Sequence, residues 1–365
     1  MNISSSLIQD LARQSGFAIA GIAAVPAPGS AEDQAERSRF ADWVEAGRAG
    51  EMEYLKRRDE AGDLLRSSVQ VALRWARSVI VCAANYNSAQ LRSTDPAPAD
   101  AGWIARYAWT SKRDRPSDYH KVLLRRLERL RDRLVQEVGE FESRCFVDTG
   151  PVVERVYARY AGVGWVGKNT CVLNQQLGSW LFLAVMVTSL ELPHAATLAV
   201  ATDRCGSCTR CIDACPTQAL TGPRQMDAAR CIAYLTIEKR GAIPELLREG
   251  MGRQIFGCDI CQDVCPWNRR APIAADPEMA PRAELVNPAL DWLAAMDESE
   301  FERCFNGSPV RRAKFTGFRR NLAIAMGNSG QTRFLPILRQ WAADPDPVLA
   351  DVAGWATRRL DPDSR

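Results

Sequence analysis

The sequence predicts three parts in series: an α/β domain over 1–195, a ferredoxin-like module over 196–280, and an all-α unit of HEAT-like helical repeats over 281–365. Three observations lead there. Helical and strand periodicities alternate through the first half, which favours helices packed on a sheet. Eight of the twelve cysteines crowd between positions 205 and 265. Beyond residue 281 the strand signals stop and apolar positions recur at helical spacing. At 365 residues the chain is also too long for one comfortable core.

In the first part, residues 6–15 read as a short helix and 17–25 as an apolar strand ended by Pro26 and Pro28. Residues 31–46 are helical, with Phe40, Trp43 and Val44 on one face. A buried strand follows at 78–84, then a loop over 88–100 rich in Ala, Pro and Asp. Leucines at 123, 124, 127, 130 and 134 make 119–138 a long amphipathic helix. Residues 145–148 read as a strand, 152–161 as a helix, and 170–174 and 180–188 as further strands. In the last part, the stretches 309–328 and 346–356 resemble HEAT-type units, each burying its apolar side on the next. Two units are few, so they are expected to cap the other domains.

The first cysteine run is Cys205-x-x-Cys208-x-x-Cys211-x-x-x-Cys215-Pro216. The second is Cys258-x-x-Cys261-x-x-x-Cys265-Pro266, with a lone Cys231 upstream. Such spacing, closed by Cys-Pro, is the ferredoxin pattern for [4Fe-4S] clusters, in which the fourth cysteine serves the other cluster. That logic gives Cys205, Cys208, Cys211 and Cys265 to one cluster. Cys215, Cys231, Cys258 and Cys261 go to the other. Zinc sites also use paired cysteines, but zinc does not need three of them plus a Cys-Pro in each run. Disulfides suit secreted chains, and Met1-Asn-Ile-Ser-Ser-Ser begins no basic or twin-arginine leader. The longest apolar run, 180–190, is about half a membrane span. A cytoplasmic protein through which electrons pass is expected.

Net charge is only +3, yet cations cluster. Residues 301–340 carry eight of them against Glu302 alone, and 121–133 carry six against two acids. Both runs suit either solvated helix faces or a nucleic-acid surface. Gly162-Val-Gly164-Trp-Val-Gly167-Lys168 matches a dinucleotide-binding pattern, but such sites lie between a strand and a helix. Here the motif follows a helix and precedes a strand, so its glycines are expected to let the backbone approach a bulky cofactor. Asp148-Thr149-Gly150 has the aspartic-protease triplet without a second copy. A lone carboxyl at the end of a buried strand suits general acid work, since burial raises its pKa. Histidine is scarce, with only His120 and His194, and there is no Asp-x-His-x-x-Gly.

Taken together these residues resemble the epoxyqueuosine reductase family. The matching stretches are Met52-Glu-Tyr-Leu, Arg106-Tyr107-Ala, Asp118-Tyr119-His120-Lys, Val147-Asp148-Thr, Ala161-Gly-Val-Gly-Trp-Val-Gly-Lys-Asn169 and Gly178-Ser-Trp. They continue through Cys231-Ile-Ala-Tyr-Leu-Thr-Ile-Glu238 and Gly257 to Asn268, and cover nearly the whole chain. One departure is a lengthened loop at 109–117. The resemblance implies a core of the nitroreductase-like, reductive-dehalogenase-like type holding base-off cobalamin, with two [4Fe-4S] clusters feeding it. It implies a monomer, a flavodoxin- or ferredoxin-type electron donor, and a tRNA with a G-U-N anticodon carrying epoxyqueuosine. Asp148 is then the proton donor as the epoxide is reduced to an alkene and water.

By the same resemblance, cofactor contacts are expected at Arg58, Gly167, Lys168, Asn169, Val172, Tyr234 and Thr236. Substrate contacts are expected at Tyr107, Tyr119, His120, Arg311, Arg312, Lys314, Arg319 and Arg320. The rival reading is a reductive dehalogenase-like reductase of a small molecule. Those enzymes resemble exported proteins with a twin-arginine leader and lack a basic helical tail. A plain ferredoxin would not need roughly two hundred residues before its clusters.

Overall fold

A computed structural model describes residues 3–112, 115–193 and 201–361. Its first unit is a sheet of β1 (Ile19–Ala24), β2 (Ser78–Asn85), β3 (Ser143–Phe146) and β4 (Leu181–Thr188), in the order β1-β2-β4-β3. The helices around it are α1 (Ser5–Gln14), α2 (Ala31–Glu45), α3 (Tyr119–Val138) and α4 (Glu154–Tyr160). β2 is apolar from Val79 to Ala84 because both faces of the sheet are covered. Ile80, Cys82 and Ala84 meet Ile8 and Leu11 of α1 and Leu123, Leu127, Leu130 and Leu134 of α3. Val79, Val81 and Ala83 meet Tyr157 and Ala158 of α4 on the other side.

Helix–strand alternation usually accompanies parallel crossovers. Here all three pairings are antiparallel. The connections 25–77, 86–142 and 147–180 are long enough to return the chain from either end of the sheet, so alternation forces no direction. The expected strand at 170–174 shrinks to Val172–Leu173, paired with Trp165–Val166. Within the lengthened loop, Thr110–Lys112 pairs antiparallel with Arg115–Pro116 and also with Ala280–Pro281. It clasps the first unit to the segment that leaves the cysteine module.

The C-terminal helices are α6 (Lys314–Asn328), α7 (Leu335–Ala342) and α8 (Pro347–Leu360), preceded in the cysteine module by α5 (Ile232–Ile237). Their core does not stop at residue 281. Phe318, Leu322 and Ala325 of α6 share it with Ile232 and Leu235 of α5, Ile255, Phe256, Trp103 and Ile104. Polar side chains inside this core bind the backbone across it. The fully buried Asn321 donates to the carbonyls of Thr236 and Ile255, both at 2.9 Å. Arg320 donates to those of Leu235, Lys239 and Gly241 at 2.7–2.9 Å. Among the described residues no helix is long and apolar enough to cross a membrane.

Replacing Asn321 with Ala strands two buried carbonyls without their side-chain donor. We expect a loss of about 2 kcal/mol in unfolding free energy. It would be read as a lower urea midpoint at unchanged slope, and an unmoved midpoint would refute the clamp.

Candidate active site

Asp148 sits just past β3 with φ +57°, a left-handed conformation that Asp tolerates better than most residues. Its Oδ2 accepts a hydrogen bond from the Tyr119 hydroxyl. His120 Nε2 stands 3.6 Å from the same oxygen, and His120 Nδ1 lies 2.7 Å from Asp118 Oδ1. Asp118 also caps α3 by accepting from the His120 backbone N–H. Burial pushes the Asp118 carboxyl up, but the His120 ring and backbone outweigh that and hold it low. Tyr119 moves the other way, raised by burial and then by the Asp148 charge. Arg66 donates to the Asp148 backbone carbonyl at 3.0 Å.

Asp148 opens onto two hollows. The larger, about 540 Å³, is walled by Tyr86, Tyr107, Tyr119, Leu181, Phe182 and Leu183, with Arg66, Arg155 and Arg224 facing it. An apolar hollow beside it shares Phe40, Trp43, Arg66, Val153 and Arg224. The smaller opening past Asp148 is rimmed by Tyr54, Arg57, Arg66 and Arg312. Both Arg66 and Arg312 lie over the Tyr54 ring, at 5.5 and 5.9 Å. α2 feeds the cavity because it buries only Asp33 in the fold and leaves Phe40 and Trp43 to line the hollows.

The sequence reading gave Asp148 a buried carboxyl, but its side chain is 49% exposed. The buried acid is Glu154, six residues on, which no motif singled out. It lines the same cavity, and its Oε1 has no hydrogen-bond partner. Burial, then the Asp148 charge, push Glu154 up to about 7, against the partial offset of Arg66 and Arg155. An acid directly after Val152-Val153, at the start of a sheet-facing helix, was the available signal.

The cysteines form two separate sets. Cys205, Cys208, Cys211 and Cys265 line one void of about 280 Å³ and surround a volume larger than one ion needs. Cys215, Cys231, Cys258 and Cys261 make the other set. Burial first, and then neighbouring thiols including Cys215, push up the thiols of Cys231 and Cys258. A hydrogen bond with Cys171, then burial and the charges of Cys258 and Cys231, push up that of Cys261. Cys171, absent from the sequence reading, faces Cys261 and also neighbours Cys231 and Cys265. It follows Thr170, a cavity wall residue, so this second set lies next to the cavity.

Several expected contacts sit elsewhere. Arg58 is exposed and folded back on the Gly62 carbonyl at 2.7 Å, leaving Arg57 and Arg66 at the openings. Gly167, Lys168, Asn169 and Val172 are absent from the large cavity's walls. A Cβ on Gly164 or Gly167 would collide with Leu173, so the glycines serve the hairpin's own close approach. Lys168 and Asn169 line the first cysteine void, and Val172 is in the sheet core. Tyr234 and Thr236 are buried in α5, where their hydroxyls accept from the N–H groups of Glu51 and Gly257.

The cation runs are largely spent inside the protein. Arg320 is buried, Arg319 pairs with Asp344 at 2.9 Å, and Arg311 pairs with Glu302. In α3, Arg126 binds Asp276 and Glu278, and Arg129 binds the Ser15 carbonyl. The pairing acids come mostly from distant segments, which a count along one segment misses. Arg312, though paired with Glu238 at 2.7 Å, remains at the mouth, and Lys314 is exposed. His194 lies outside the described residues.

Glu154 gives the fold a pH dependence. Its native pKa near 7 exceeds the ordinary 4.5, so its stabilising contribution is complete below about 4.5 and lost as pH rises through 7. In cofactor-free protein, Glu154→Gln should match wild type near pH 4.5 and exceed it by roughly 3 kcal/mol at pH 8. Parallel stability–pH curves from urea unfolding would contradict this.

Residues 66–149 match a family model described as Epoxyqueuosine reductase QueG, DUF1730, and residues 204–268 match a 4Fe-4S double cluster binding domain. The epoxyqueuosine reductase of Xanthomonas campestris pv. campestris is 40% identical over 350 residues, spanning 96% of this chain and 94% of that one. That of Escherichia coli K12 is 36% identical over 316 residues, spanning 86% and 80%. A solved epoxyqueuosine reductase with an epoxyqueuosine-modified tRNA-Tyr stem loop superposes with TM-score 0.83 at 28% identity, covering 97% of this chain and 89% of that one. The Streptococcus thermophilus enzyme gives 0.82 at 27%, covering 99% and 90%. At this identity over nearly its full length, the chain belongs to the epoxyqueuosine reductases, oxidoreductases of tRNA modification.

Proposed function

We propose that this chain reduces epoxyqueuosine, at the wobble position of a tRNA with a G-U-N anticodon, to queuosine. The observation that carries this reading is a half-exposed carboxylate at the cationic mouth of a cavity whose wall residue Thr170 adjoins Cys171, the neighbour of Cys261 in the second cysteine quartet. The first void's size and all-cysteine set fit a [4Fe-4S] cluster, and the second quartet has the same donors. The large cavity's flat aromatic walls and three arginines, with an apolar hollow alongside, fit a macrocycle with a polar rim such as base-off cobalamin. When bound, these groups supply the two electrons of the reduction.

The protein's own residues supply position and protons. The modified base is splayed from the anticodon loop into the mouth, as single-stranded bases commonly are. Tyr54 offers it an aromatic face, while Arg57, Arg312 and Lys314 hold backbone phosphates. Asp148, its Oδ2 fixed by Tyr119, takes up a proton and passes it to the epoxide oxygen as the C–O bond opens. His120, oriented by Asp118, stands close enough to restore that proton. Two electrons and two protons convert the epoxide to an alkene and water. The electrons come from a flavodoxin- or ferredoxin-type carrier, and the protein acts as a monomer.

Asp148→Asn should keep its cofactors, by visible spectrum, yet lose turnover by about 10²- to 10⁴-fold. Full activity would rule out the proton role. Stem-loop affinity should fall steeply with salt, and Arg312→Ala or Lys314→Ala should each flatten the log–log slope by about 0.7. A salt-independent affinity would count against the cationic mouth.

A further inference from the structure

The void lined by Cys205, Cys208, Cys211 and Cys265 differs in setting from its partner set. Cys231 and Cys258 pack against the largest core of the molecule, whereas Cys205 and Cys265 join only a small cluster with Trp165, Leu173 and Trp267. Pro266 is exposed at its edge, and Arg204 and Arg210 line it from outside. Arg269 and Arg270 follow Trp267 after Asn268 and are exposed too. None of these four arginines has an acid within ion-pair distance among the described residues, whereas Arg224, Arg312 and Arg319 each do. The two local acids are occupied: Asp203 pairs with Arg224, and Asp213 accepts from the Thr209 hydroxyl at 2.7 Å. The void shares no wall residue with either hollow beside Asp148.

We propose that this arginine-rimmed face is the docking site for an acidic one-electron carrier protein, through which reducing electrons enter. The inference rests on the proposed reading that a cluster fills the void, and it gives that cluster a partner. A small apolar centre of Pro266 and Trp267 inside a ring of unpaired cations suits a weak, charge-steered complex. The arginines cost nothing to desolvate from internal ion pairs, because they have none. Two carriers are each oxidised by one electron per turnover, and the epoxide takes up both electrons with two protons. The second cysteine set, deeper and beside the cavity, then lies on the way inward.

The test uses holoenzyme and two charge-reversal variants, Arg204→Glu/Arg210→Glu and Arg269→Glu/Arg270→Glu. Bleaching of the cluster absorbance would be followed by stopped flow with photoreduced flavodoxin, an acidic carrier, and with reduced methyl viologen, a cation. At low salt we expect flavodoxin to reduce the variants at least about tenfold more slowly. The viologen rate should hold or rise, and affinity for the epoxyqueuosine stem loop should stay unchanged. An unchanged flavodoxin rate would overturn the proposal. So would weakened stem-loop binding, which would make the face a nucleic-acid surface. Cys208→Ser checks the underlying reading separately: if it retains the wild-type iron content and spectrum, no cluster occupies the void, however the arginine variants behave.

Discussion

The buried amide of Asn321 and guanidinium of Arg320 hold together more of this molecule than any motif in it. Their carbonyl partners lie on α5, on the loop that follows it and on the short strand Gln254–Phe256. Cys231 immediately precedes α5, and the strand leads through Gly257 to Cys258. The strand's other edge pairs in parallel with Trp103–Ile104, and Asp259 then accepts from the Arg106 backbone N–H at 2.7 Å. Two thiols of the inner quartet therefore take their positions from the C-terminal helices and from the 103–106 segment together. The helical tail is a structural wall of the redox module before it is a surface for anything else.

What the sequence made legible follows a physical divide. The bounds of α3 were readable to the residue, because five leucines at helical spacing and the Asp118 cap leave little choice. β1, β2 and β4 were readable because a sheet covered on both faces needs apolar runs, whereas β3, Ser-Arg-Cys-Phe at the sheet edge, lies two residues before its expected place. The grouping of the cysteines was readable because the ferredoxin spacing assigns each Cys-Pro thiol to the opposite run. What failed was everything set by partners distant in the chain. Arg319 and Arg320 look like phosphate binders until Asp344 and three backbone carbonyls arrive from elsewhere in the fold. The glycine motif looks like a cofactor cradle until Leu173 folds against it.

The same divide explains the two carboxyl groups of the cavity. Both end or follow the β3 edge, and a reading by position assigns burial to the one nearer the strand. The left-handed turn at Asp148 swings that side chain out toward the mouth, and the start of α4 carries Glu154 in. One wall thus holds an accessible carboxylate fixed by Tyr119 and an enclosed one that favours its protonated form. Environments this different let two chemically similar side chains do different work at one pH.

Cys215 belongs to the first run yet faces the second set, and Cys265 does the reverse. Neither set can be completed from its own loop. On the proposed reading that each quartet holds a cluster, loading is for that reason a joint event: whatever occupies one quartet helps to fix the loop that supplies a thiol to the other. A half-filled chain leaves one loop pulled toward its metal and one thiol short of a partner. During maturation this favours chains that are either empty or full, and it makes oxidative loss at one centre a threat to both.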